Sequence, residues 1–185
     1  MTPSHVTGRS QEFVVPPSPK FDPEAMLRVL NEHGVRFVVI GALAAIAQGY
    51  PLNTGDLDVT PARDPGNLES LAEALRELDA RLRVPGRDDG VEFPIEAGYL
   101  GRVDSWTLTT RFGHLNVLFE PSGTRGYGDL HRNAVTIRLA DGEAEMAALL
   151  DIIRMKEASG RPKDLAQLPA LRQTLEVARE RDSQS

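Results

Sequence analysis

Residues 38–59, VVIGALAAIAQGYPLNTGDLDV, constrain the fold of this chain more than any other stretch. The run begins inside RFVVIG, a short β-branched apolar segment of the kind that forms a buried strand. An Ala-rich, helix-prone piece follows (42–50), closing at Gly49 before Pro51. TGDLDVTP (54–61) then alternates polar and apolar residues, which predicts a second strand. Successive strand side chains point to opposite faces, so Asp56 and Asp58 share one face while Leu57 and Val59 share the other. With the apolar face packed inward, the two carboxylates are expected side by side at an open edge. Two like charges that close raise each other's pKa unless a cation lies between them. Hard oxygen ligands at this spacing suit Mg²⁺. The glycine at the strand–helix junction turns backbone N–H groups of Gly41 and Ala42 toward an anion, such as nucleotide phosphates. The chain has neither a Gly-Lys-Ser/Thr P-loop nor a Gly-x-Gly-x-x-Gly dinucleotide turn.

The remaining elements are placed around this core. Asp22-Pro23-Glu24 opens a helix carrying Met26, Leu27 and Leu30, stopped at Gly34. Pro65-Gly66-Asn67 caps a second helix with Leu68, Leu71, Ala72, Leu75 and Leu78 on one face. Residues 83–101 read as loop with one short strand. WTLTTRFGHLNVLF (106–119) and TIRLADGEAEMA (136–147) read as hairpins, turning near Gly113 and at Asp141-Gly142. From about Ala147 the chain is helical, to Gly160 and again from Pro162 to near Arg181. The fold class expected is α+β, a mixed sheet flanked by helices with a C-terminal helical portion. The division expected is a flexible N-terminal arm (1–20), an α/β core (21–147) and helices packed on it (148–182).

Composition narrows the chemistry. There are no cysteines among 185 residues, which removes disulfides, thiolate metal sites and cysteine nucleophiles. The formal charge of −6 argues against a wholly basic nucleic-acid wrapper. Most of that charge falls in residues 56–92, while the C-terminal stretch is mildly basic. No apolar run approaches ~18 residues and the first 20 lack a signal-peptide core, so a cytoplasmic protein with no membrane span is expected. The histidines, His5, His33, His114 and His131, show no metal-ligand spacing. Trp106 reads as packing within its hairpin.

The Gly-led turn followed by Asp-x-Asp resembles the nucleotidyltransferase (polymerase-beta-like) superfamily. More closely it is similar to the AbiEii-type branch, which includes the mycobacterial MenT toxins. That branch carries a Thr two residues before the first Asp, here Thr54. It also carries a Lys and a downstream Asp near its C-terminus, matched in EMAALLDIIRMKEASGRPKDLAQLPAL by Lys156 and Asp164, with Arg161 and Lys163 as basic neighbours. The resemblance covers about residues 22–175. It implies transfer of a nucleoside monophosphate from an NTP to the 3′ end of tRNA, with Mg²⁺ as cofactor. The biological output implied is translation arrest by a toxin held in check by a cognate antitoxin. In this reading Asp56 and Asp58 hold the metal, and Lys156 meets the phosphates. Asp164 either orients Lys156 or approaches the metal. Arg154, Arg161, Lys163 and Arg172 are candidate RNA contacts, and Thr54 is a candidate for regulatory phosphorylation beside the nucleotide. Two departures stand out. Ala42 occupies a position usually held by Gly or Ser. GHLNVL places Asn116 where the third acid belongs, so Asn116 offers a metal one neutral oxygen and cannot take a proton. A non-catalytic binding module, or a transferase acting on a cationic antibiotic drawn to the acidic 56–92 segment, are the competing readings.

Overall fold

The computed structural model describes residues 20–183; the expected N-terminal arm, with His5, lies outside them. One eight-stranded mixed sheet runs through the molecule. Its strands are β1 (Phe37–Ile40), β2 (Asp56–Pro61), β3 (Arg81–Val84), β4 (Arg87–Val91), β5 (Ser105–Thr110), β6 (Gly113–Leu118), β7 (Val135–Leu139) and β8 (Gly142–Met146). They lie in the order β4-β3-β5-β6-β2-β1-β8-β7. The β2–β6 and β1–β8 pairs are parallel, and the rest are antiparallel.

The first helix, α1 (Pro23–Glu32), begins as its sequence dictates: the Asp22 carboxylate accepts the Ala25 N–H at 3.0 Å and Pro23 occupies the first turn. For α3 (Pro65–Glu77) the cap differs from expectation. Asp64 caps it, accepting the Asn67 N–H at 3.2 Å, and Asn67 lies inside the helix. There the buried Asn67 amide donates to Ala62 O (2.7 Å) and Arg36 O (3.1 Å), and its oxygen accepts the Arg36 N–H (2.7 Å). The side chain thus ties α3 to the starts and ends of two strands. Leu57, Val59, Leu108, Leu115 and Val117 form the apolar face of the sheet and join α1 and α3 in one core.

Two expectations are corrected. The carboxylate strand β2 is not at an edge: β1 and β6 flank it, so Asp56 and Asp58 sit on a face in the middle of the sheet. The region 83–101, read as loop with one strand, holds most of the β3–β4 hairpin and the short helix α4 (Ala97–Leu100). Trp106 is buried as expected, its indole N–H donating to Leu100 O at 3.1 Å and its ring stacked on Phe93. After the small helix α5 (Tyr127–His131) and the β7–β8 hairpin, α6 (Leu149–Ser159) and α7 (Pro162–Asp182) follow. Gly160, in the left-handed region at φ +62°, closes α6 so that the chain reverses into α7. Leu149, Ile152, Ile153, Leu168 and Leu171 of this pair belong to the same core. Among the described residues no helix is long and apolar enough to cross a membrane.

Candidate active site

The strand pairing assembles the site. In parallel register Asp56 lies opposite His114 and Asp58 opposite Asn116, so all four side chains share one face of β2 and β6. From the other side, β1 places Ile40 opposite Asp58 and then turns sharply into α2 (Gly41–Ile46). Gly41 makes the turn at φ +69°, and a Cβ added there would lie 2.2 Å from Asp58 Oδ2. Any larger residue would meet the carboxylate, so the glycine is required by both backbone and contact. No side chain caps α2, which leaves its first amides to other partners.

The two aspartates are held differently. Asp56 Oδ1 accepts the Thr54 hydroxyl at 2.9 Å. The Asn116 amide nitrogen donates to Asp58 Oδ1 at 2.8 Å and to Asp56 Oδ2 at 3.2 Å. Burial pushes the Asp58 carboxyl up. The Asn116 hydrogen bond opposes this, the Asp56 charge adds to it, and the charges of Lys156 and Lys163 pull downward; the net direction is up. For His114, burial and then the Arg83 charge hold the imidazole below its ordinary value, against the pull of Asp56.

Across from the strands stands a polar clasp between α6 and α7. Lys156 donates to Asp164 Oδ1 at 2.9 Å, while the Ser159 hydroxyl and Arg161 Nε both donate to Oδ2 at 2.7 Å. Asp164, a candidate site residue, is only 3% exposed. Its burial works to raise the carboxyl, but the hydrogen bonds from Ser159, Lys156 and Arg161 outweigh it and hold the group at about 2. In the structure its two oxygens are taken up by Lys156, Ser159 and Arg161.

Between strands and clasp lies an open cavity of about 450 Å³. Gly41 and Ala42, Asp56 and Asp58, and Asn116 line one side; Lys156, Arg161, Lys163 and Asp164 line the other. Three sequence candidates stand apart. Thr54 is absent from the lining, its hydroxyl being spent on Asp56. Arg154 is turned to Asp129 (3.0 Å) and Asp151 (2.8 Å), and Arg172 to Glu157 (2.5 Å), so neither adds charge to the cavity. Lys163, by contrast, makes no ion pair or hydrogen bond among the described residues. Ser105 and Thr107 of β5 also line the cavity, as does Gln167 of α7. Sequence reasoning missed them, although the β5–β6 hairpin register (Thr107 opposite Asn116, Ser105 opposite Leu118) follows from its turn.

The donor set fits a divalent cation. Two carboxylates share one face, and among the described residues no positive side chain is bonded to either. Beside them the buried Asn116 Oδ1 has no hydrogen-bond partner. Among the described residues no three His, Cys, Asp or Glu side chains converge as metal ligands, and position 116 offers the pair an amide.

No protein-family model matches the chain, and no curated protein matches it by sequence. Solved structures do match by shape. The lincosamide antibiotic adenylyltransferase LnuA, lincomycin-bound, superposes with a TM-score of 0.55 at 9% identity, covering 81% of this chain and 94% of that one. ANT(2")-Ia in complex with adenylyl-2"-tobramycin gives 0.50 at 14% identity, covering 88% and 97%. A nucleotidyltransferase candidate from Thermotoga maritima gives 0.49 at 16%, covering 85% and 96%. The LnuA and ANT(2")-Ia superpositions give the chain the nucleotidyltransferase fold, with Asp56 and Asp58 both on the interior strand β2.

Proposed function

We propose that the protein is a Mg²⁺-dependent nucleotidyltransferase that moves an NMP from an NTP to a hydroxyl at an RNA 3′ end, tRNA by resemblance. The carrying observation is the Asp56–Asp58 pair facing the Lys156–Asp164 clasp across one cavity, with Gly41 packed against Asp58. In the reaction the acceptor oxygen bonds to the α-phosphorus as the bond to pyrophosphate breaks. The amides of Gly41 and Ala42 would cradle the β- and γ-phosphates, and Lys156, held in place by Asp164, would set a point charge against them. Asp56, Asp58 and the Asn116 oxygen would hold the cation, which neutralises charge building on the phosphates. Since an amide takes no proton, the hydroxyl proton leaves to solvent or to an aspartate of the pair.

The basic groups on the far rim of the cavity support an anionic acceptor. Of the acidic residues in 56–92, only Asp56 and Asp58, the proposed cation ligands, reach the lining, so the rest of that segment adds nothing there to attract a cationic drug. The far rim instead carries Lys163 and the exposed Arg161. An antibiotic acceptor is the second reading, because LnuA binds lincomycin and ANT(2")-Ia holds adenylylated tobramycin. A toxin role with a cognate antitoxin in the cytoplasm rests on the resemblance. Within it, phosphorylation of Thr54 would replace a hydroxyl donor to Asp56 with a dianion and oppose nucleotide entry. Unmodified Thr54 in the mass spectrum of a fully inhibited complex would remove that arm.

The test is to incubate the protein and Mg²⁺ with total tRNA and each labelled NTP in turn. Label at tRNA 3′ ends, lost in Asp58→Ala, is the expected result. Label on lincomycin or tobramycin but not on RNA would establish the second reading, and no label on either would leave a binding module.

A further inference from the structure

We infer that Asn116 keeps the empty carboxylate pair satisfied, so that the divalent cation enters only together with the nucleotide. The inference rests on the proposed nucleotidyltransferase reading and concerns how its site fills.

A carboxylate oxygen only accepts hydrogen bonds, whereas an amide offers donors on one side and an acceptor on the other. Facing two carboxylates, the Asn116 side chain must therefore present its nitrogen, as the distances of 2.8 Å to Asp58 and 3.2 Å to Asp56 require. One neutral group thus bridges two like charges and relieves their repulsion. Its oxygen is left buried with no partner. A buried acceptor without a donor is costly, so the orientation is held by what the nitrogen gains.

A cation between Asp56 and Asp58 reverses those preferences. The N–H groups would then point at positive charge, and the amide must turn to present Oδ1. A free cation therefore has to break two charge-assisted hydrogen bonds, and gains one neutral oxygen in return. Phosphate oxygens brought by a nucleotide add charged ligands and tip the balance. A carboxylate at 116 would behave differently. It has no donor to offer, so the empty site would hold three converging negative charges and take up a cation unaided. Asn116 is thus a positioning residue that couples cation entry to nucleotide entry.

Mn²⁺ binding followed by electron paramagnetic resonance tests this without any turnover. Wild-type protein should bind free Mn²⁺ at least about tenfold more weakly than Asn116→Asp, as replacing a neutral ligand by a charged one predicts. Adding a non-hydrolysable NTP analogue should bring wild type to full occupancy. Should the variant fold poorly, the Asn116 side-chain amide resonances of wild type give the same answer. They should hold their shifts in Mg²⁺ alone and move when Mg²⁺ and analogue are both present. Equal free Mn²⁺ affinity in the two proteins, or amide shifts that move fully with Mg²⁺ alone, would overturn the inference. So would failure of both proteins to bind Mn²⁺ with the analogue present. The expected Mn²⁺ pattern in a protein that labels no RNA would uphold it while sinking the RNA acceptor.

Discussion

At position 41 a side chain has nowhere to go. The backbone is left-handed at φ +69°, and the nearest atom to an added Cβ is the Asp58 carboxylate oxygen at 2.2 Å. Gly41→Ala would have to shift Asp58, the β1–α2 turn, or both. The expected cost is about 1–3 kcal/mol of stability from the backbone alone, visible as a lower melting temperature. Nucleotidyl transfer should fall more steeply than stability, because the group displaced is the carboxylate itself. A variant that melts lower yet transfers label normally would show that Asp58 is not in the reaction. The sequence identified Gly41 as a turn that exposes backbone amides. Its tighter requirement, contact with a carboxylate 17 positions on, depends on strand pairing and is invisible locally. Asn116 was more legible, because alternation along GHLNVL puts it on one face with His114, and only the bridging of both aspartates had to await β2–β6 registry.

At the scale of elements, the α6–α7 clasp is an electrostatic joint with a predictable pH dependence. Asp164 is held down from 3.8 to about 2 in the folded protein. Its contribution to stability is therefore fully present above about pH 4 and is lost as pH falls through about 2. A shift of that size corresponds to about 2 kcal/mol. Asp164→Asn should lower stability at neutral pH and flatten the acid limb of the stability curve, measured by urea unfolding at several pH values. An unchanged acid limb would mean that the carboxylate is not held as described. Lys156 and Asp164 were readable as a pair through the family resemblance, but the burial of Asp164 between the helices was not. The β3–β4 hairpin was missed for a physical reason. Its strands RLRV and RDDGV carry charge where a central strand would carry apolar residues. That composition suits β4, which closes one edge of the sheet and repels further pairing. Edge strands of this kind resemble loops when read from composition. Alternation likewise assigned Asp56 and Asp58 to one face, yet it carries no information about which strands lie alongside, hence the expectation of an open edge for a strand that lies fourth from the β7 end.

For the molecule as a whole, the net charge of −6 sets the kind of nucleic-acid contact available. Negative protein and negative RNA repel at long range, so a gripping surface has to be local and close to the site. Lys163 is well placed for that role: it lines the cavity, its charge is felt at Asp58, and no acidic side chain among the described residues pairs with it. Arg161 donates Nε to Asp164 and leaves the rest of its side chain largely exposed, whereas Arg154 and Arg172 are engaged elsewhere. A footprint this narrow should neutralise few phosphates, giving a shallow dependence of binding on salt. Each phosphate lost from a single-stranded contact reduces the slope of log K against log salt by about 0.7. Lys163→Ala should therefore weaken binding of every RNA tested to a similar degree and reduce that slope by about one such step. Fluorescence anisotropy with a tRNA 3′-end oligonucleotide across a salt series would measure both. An unchanged slope in Lys163→Ala would mean that the RNA, if it is bound at all, does not cross the rim of this cavity, and the acceptor would then have to be a molecule that binds without phosphate contacts.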